Sequence, residues 1–239
     1  MATKILAMHS GWKLPGLCVL TLILAVEAAA QQHSPTVSID DLSVPATARK
    51  YYDAGVAATR SQNWKKAHDS LQEALRIDPK YARAHNALGV VLAFMGKTVA
   101  EIEAAFRSAI VSDPKLPDAH FNLGKLLLES SRPAEAKEEL QRVLELDSRH
   151  APANQLLAES MLMTHDGGSA ALLLRSLHQR HVDHPASLHV EIGSELEAHG
   201  MFDLALEQYE FALADASSPA ERTNAELGLS RLKSRKPTD

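Results

Sequence analysis

The feature that most restricts this chain is that it repeats itself. A large aliphatic residue followed by a small one occurs at Leu88-Gly89, Leu123-Gly124, Leu157-Ala158, Ile192-Gly193 and Leu227-Gly228, with a looser match at Ala54-Gly55. From Gly55 to Gly228 the small residues follow one another at intervals of 34, 35, 34, 35 and 35 residues. So steady a period means that one supersecondary unit is stacked many times, each copy burying the apolar face of the next. Residues 84–114 show what the unit is. One helical pattern carries Leu88, Gly89 and Leu92, a second carries Ile102, Ala105, Phe106 and Ala109, and Gly96 breaks the chain between them. Each helix offers a single apolar stripe and no second layer, so neither is stable without a partner helix and neighbouring pairs.

The period divides 47–217 into five copies, at about 48–81, 82–116, 117–150, 151–185 and 186–217. In the first copy Asn63 is a good N-cap for a helix holding Trp64, Ala67, Leu71, Ala74 and Leu75. Asp78-Pro79 ends that helix, because proline cannot continue it and biases the preceding residue away from helical angles. Asp113-Pro114 ends the second copy in the same way. In the third, Pro133 starts the second helix, where its missing N–H costs nothing, and Ser148 stands where proline is expected. The fourth copy is the weakest, with a loose turn over 164–169 containing Gly167 and Gly168 and an irregular end over 178–185. Residues 218–234 form one more helix. Arg231 stands where other copies have Leu92 or Leu196, as a polar outer face requires of a cap. Residues 235–239 are a polar tail.

Gly55, Ala67, Leu71, Ala74 and Pro79, and again Leu88, Gly89, Phe106, Ala109 and Pro114, fall on the small and large consensus positions of the tetratricopeptide repeat, which this chain resembles. The resemblance implies an all-α, right-handed superhelical solenoid of tandem antiparallel helix pairs with a C-terminal capping helix. In it Gly89 and Ala109 leave room for a neighbouring backbone and Phe106 fills the gap between helices.

The segment ahead of the array has another character. Lys4 and Lys13 precede an apolar run over 14–26, and Ala28-Ala29-Ala30 supplies small residues at a cleavage site. This pattern predicts a secretory signal peptide over 1–30, cut after Ala30. The run is shorter than the ~20 residues a membrane span needs and Glu27 closes it, so no stable membrane insertion is expected after cleavage. Cys18, the only cysteine, would leave with the signal, and a chain without thiols suits an oxidising compartment. Residues 31–46 read as a flexible leader. The net charge is −5, and −6 once residues 1–30 are removed; with no basic cluster, this speaks against a nucleic-acid partner.

Enzyme motifs are absent: there is no nucleophile elbow, HExxH, phosphate loop or paired CxxC, and Asp166-Gly167-Gly168 lacks the other oxygen ligands of a calcium loop. Among the twelve histidines, His85, His120 and His189 recur at the fourth position of the first helix of their copies, which points to packing between helices. His178, His181 and His184 are grouped more irregularly. His178 and His181 share a helix face, but no defined metal motif is matched and histidine near a helix C-terminus also complements the dipole. The expectation is no metal and no cofactor, with these three as the candidates should one be held.

In the family resembled, the concave surface is lined by the first helix of each pair, chiefly at its second, fifth, ninth and twelfth positions. Carried over residue by residue, this implies a peptide-binding groove with Arg49 and Tyr52 from the first copy, Arg83, Asn86 and Val90 from the second, and Phe121, Lys125 and Leu128 from the third, with Asn122 adjoining. Glu159 and Glu197 follow in the fourth and fifth. Some members clamp a terminal carboxylate with Lys, Arg and Asn; Arg83, Asn86, Asn122 and Lys125 have that chemistry, though not the full order. The expected protein is an exported, non-catalytic scaffold, periplasmic or secreted, whose groove binds a protein or a peptide with an acidic end. Two rivals are a structural subunit of an envelope assembly and a metal- or haem-handling accessory using the histidine group.

Overall fold

A computed structural model describes residues 43–180, 182 and 184–234. The signal peptide with Cys18, most of the leader, His181, Asp183 and the tail lie outside the described residues. Those described form eleven α-helices and no strand, the all-helical fold class that the period implies. None of these helices is long and apolar enough to cross a membrane. The chain divides into two compact units, residues 1–116 and 117–239.

In the first unit α1 (Ala46–Arg60) pairs with α2 (Trp64–Ile77), and α3 (Ala82–Phe94) with α4 (Val99–Ser112). Local chemistry sets their ends. The Asn63 side chain accepts the Lys66 N–H at 3.2 Å and so starts α2. Thr98 and Glu101 form a reciprocal capping box at the start of α4. At the ends of α2 and α4, Asp78 and Asp113 swing to extended backbone before their prolines. Each carboxylate accepts the N–H two residues on, from Lys80 at 3.0 Å and from Lys115 at 2.9 Å. The core lies between the helices: Ala58, Ala67, Leu71 and Val91 form one buried cluster, and Val44, Ala48, Ala74, Tyr81 and Ala84 another. The small residue of each pair has a direct steric cause. A Cβ on Gly55 would lie 2.7 Å from Leu71 Cγ, and one on Gly89 would lie 2.5 Å from Phe106 Cε1. Phe106 is thus buried against the helix that precedes its own.

The second unit contains α5 (Pro117–Glu129), α6 (Pro133–Leu146), α7 (Ala151–Met163), α8 (Gly167–Gln179), α9 (Ala186–Ala198), α10 (Phe202–Asp215) and α11 (Pro219–Ser234). Ser148 proves no obstacle to the third boundary. Asp147 adopts φ −142° and ψ 94°, close to the −142° and 97° of Asp113, and its carboxylate accepts the Arg149 N–H at 3.0 Å. The carboxylate, not the proline, is the shared device. The turn expected to be loose over 164–169 is tight instead. Asp166 caps α8 by accepting the Ser169 N–H, and both glycines are already in the helix. At the far end, the buried Tyr209 ring lies against Gly193 and against Gly228 of α11. Ala225, Gly228 and Leu229 are the buried residues of α11, while Leu227 is exposed.

Candidate functional site

Of the residues the resemblance assigns to a groove, those of the first unit separate into two sets. Val90 is buried, and the half-buried Tyr52 ring lies 5.0 Å from that of Tyr81 and packs on both core clusters. These two contribute more to packing than to a free surface. Arg49, Arg83 and Asn86 are half-buried on α1 and α3 and belong to neither cluster. In the second unit Phe121 repeats the Tyr52 arrangement, its ring 4.9 Å from the imidazole of His150, while Asn122, Lys125 and Leu128 are half-buried along α5. Further along, burial raises the Glu159 carboxyl above its ordinary range, opposed by a 2.9 Å hydrogen bond from Gln155. Glu197 has a basic partner from outside its own helix pair. Arg231 of α11 donates to it at 3.2 Å and the Tyr209 hydroxyl at 3.2 Å, so the capping helix neutralises that acid.

The histidines are arranged otherwise than their spacing suggested. His120 Nδ1 lies 2.7 Å from Glu139, and His189 Nδ1 lies 2.8 Å from Gln208; each joins the first helix of a pair to the second across the same nineteen-residue separation. Packing between helices is therefore a correct account of His120 and an incomplete one of His189. His189 Nε2 turns toward His184 Nε2 at 2.8 Å and toward Asp215 Oδ2 at 3.6 Å. His184 Nε2 lies 3.7 Å, and His178 Nδ1 3.5 Å, from the same carboxylate oxygen. One ligand-capable atom from each of His178, His184, His189 and Asp215 lies within 4.8 Å of all the others.

Four segments of the second unit build this group: the last turn of α8, the link after it, the first turn of α9 and the last residue of α10. The His184 and His189 side chains are 5% and 0% exposed, and those of His178 and Asp215 are 35% and 30% exposed. Phe211 of α10 stacks on His178 at 4.4 Å and lies 5.5 Å from His189. Burial pushes the His189 imidazole down to about 4, against the hydrogen bond to Gln208, so the ring is neutral at neutral pH. Gln208 is itself fully buried, and its amide nitrogen has no hydrogen-bond partner among the described residues. Sequence reasoning named His178 and His184 together with His181, which lies outside the described residues, and missed His189 and Asp215. For Asp215, 31 residues beyond His184, no local pattern could have served.

With this geometry in view, comparison with known proteins places the repeats. Two stretches match tetratricopeptide repeats. The first is residues 47–96, matched by a TPR repeat family, and the second is 117–150, matched by a tetratricopeptide repeat family. Solved tetratricopeptide structures resemble the chain more widely. YrrB, described as a TPR protein with an unusual peptide-binding site, is 19% identical with a TM-score of 0.65, the match covering 75% of this chain and 92% of that one. MamA is 19% identical with a TM-score of 0.62, covering 73% and 94%. Pseudomonas aeruginosa pilF is 22% identical with a TM-score of 0.56, covering 81% and 93%. At such identities the likeness is one of fold. No curated protein matches the chain.

Proposed function

We propose that this chain is an exported, non-catalytic scaffold that binds a protein or peptide partner through the first helices of its helix pairs. The observation that carries this reading is the set of half-buried polar residues on those first helices. Arg49, Arg83 and Asn86 in one unit, and Lys125 with the adjoining Asn122 in the other, are half-buried residues that the resemblance to tetratricopeptide repeats assigns to peptide contact. The use of the fold for peptide binding by YrrB supports it. Guanidinium, ammonium and amide groups suit a partner with an acidic end, and Leu128 and Phe121 add apolar contact. Charge attraction would speed association at low salt.

The test begins with a partner identified by cross-linking in the native host, its affinity measured against the purified chain. Arg83→Glu and Lys125→Glu are then compared singly. A desolvated charge-assisted hydrogen bond contributes about 1.5–3 kcal/mol, so each reversal should weaken binding about ten- to a hundredfold. Folded variants that keep full affinity would rule these helices out. Export is tested separately by mass spectrometry of the mature chain, whose first residue should be Gln31.

A further inference from the structure

We infer that His178, His184, His189 and Asp215 form a binding site for a divalent transition-metal ion, zinc in particular. The reasoning starts from where the ring protons must be. His184 Nδ1 lies 2.6 Å from the Val182 carbonyl oxygen, which can only accept, so that nitrogen carries the proton. His189 Nδ1 likewise donates to Gln208 Oε1 at 2.8 Å. With Nδ1 of each ring committed as donor, Nε2 is the nitrogen left to serve as a ligand, and the two face each other at 2.8 Å. An Asp215 carboxylate oxygen stands 3.6 and 3.7 Å from them and 3.5 Å from His178 Nδ1. Acceptors converging in a largely buried place repel one another unless a cation lies among them. A proton satisfies one pair of atoms; a metal ion satisfies all four.

The dimensions and the donor set agree on the kind of ion. Bonds of ~2.0–2.1 Å in a tetrahedron place ligand atoms roughly 3.3–3.4 Å apart, near the three distances to Asp215. To fit, the His184–His189 pair opens by about half an ångström and His178 closes on the other two rings, since the four atoms stand up to 4.8 Å apart. Three imidazoles and one carboxylate favour zinc and its late-transition neighbours over magnesium or calcium, which take oxygen ligands. The supports behind the ligands are also in place. Ligating imidazoles characteristically donate their other N–H to a carbonyl or carboxylate, as His184 does to Val182 and His189 to Gln208. The third pair of helices supplies an internal contrast. His120 meets Glu139 at 2.7 Å and belongs to no such group among the described residues, whereas His189 has the neutral Gln208 in that place and turns its second nitrogen to further acceptors. With four protein ligands the site is closed. Its effect would be to tie the end of α8 to α9 and the end of α10, while the partly exposed His178 and Asp215 give the ion a way in.

The experiment uses the purified full chain, stripped with a chelator and titrated with zinc in competition with a chromophoric chelator. One equivalent should bind, zinc should raise the melting temperature, and cobalt(II) should give the visible spectrum of a four-coordinate ion. His178→Ala and Asp215→Asn alter partly exposed side chains, so the fold should survive. Each should weaken zinc binding at least tenfold and abolish the rise in melting temperature, while His85→Ala should do neither. Failure of the chain to take up zinc, uptake that His178→Ala and Asp215→Asn leave unchanged, or a six-coordinate cobalt spectrum would each overturn the assignment. His189→Gln removes the most buried ligand and is read only if its circular dichroism matches that of the parent.

Discussion

At the scale of single residues, the turns between paired helices show how the period reaches the backbone. Among the described residues, those with positive φ are Gln62, Gly96, Ser131, His165 and Gly200, at 55°, 66°, 58°, 58° and 76°. They are 34, 35, 34 and 35 residues apart, the same intervals that separate the small helix residues from Gly55 to Gly193. Each follows the last turn of a first helix and reverses the chain into the second, which calls for one left-handed residue. Only two of the five are glycine. A left-handed conformation costs an ordinary residue about 1–2 kcal/mol, and glycine's extra freedom when unfolded returns part of that. Ser131→Gly should therefore stabilise the chain by about 0.5–1 kcal/mol, and Gly200→Ala should destabilise it by a similar amount, both read from denaturant midpoints. A second prediction concerns Glu159. Burial raises its pKa in the fold above the ordinary 4.5, so the folded state holds more proton than the unfolded state and stability falls as pH rises through that window. Glu159→Gln should melt higher than the parent at pH 7, and the difference should vanish by pH 4. A difference that is the same at both values would mean that the carboxyl is solvated.

At the scale of helices, packing is set by which residue faces the glycine. Gly55 meets Leu71, Gly89 meets Phe106, Gly124 meets Leu140 and Gly193 meets Tyr209. Phe106→Ala should cost about 3–5 kcal/mol, the usual loss for emptying a buried aromatic site. Gly89→Ala is the sharper test. Alanine is the better helix former, yet its Cβ would stand 2.5 Å from the Phe106 ring, so overpacking should destabilise the chain by about 1–3 kcal/mol. A gain in stability would show that the ring yields freely. α8 differs from its neighbours. It opens with Gly167 and Gly168, exposes Leu172, and is held to α10 by the Arg175–Glu207 ion pair. In metal-free protein its amides should exchange faster than those of the other helices.

At the scale of the molecule, an array of this kind is stabilised by neighbours, so damage is local. The loss from Phe106→Ala should appear in the hydrogen exchange of α3 and α4 before that of α9 to α11. A uniform rise in exchange would show one cooperative block. The helix pairs, their ends at Asp78 and Asp113, and the small residues that leave room for Phe106 and its counterparts were legible in the sequence, whereas the end at Asp147, with Ser148 in place of proline, was not marked. The legible features are written by local chemistry at a fixed interval, and a period repeats whatever each copy must satisfy. The left-handed turn residues were only half legible, since Gln62, Ser131 and His165 lack the glycine that would mark them. The pairing of Glu197 with Arg231, 34 residues apart, was hidden, and so was the meeting of His178, His184 and His189 with Asp215. By itself the sequence determined what recurs: two helices per copy, the ends that carry a cap or a proline, and which face of each is apolar. Tertiary structure alone decided what occurs once. His189 looks like His120 along the chain, and the two part company because Glu139 meets Nδ1 of one and Gln208 that of the other, and because His184 and Asp215 are folded against Nε2 of His189.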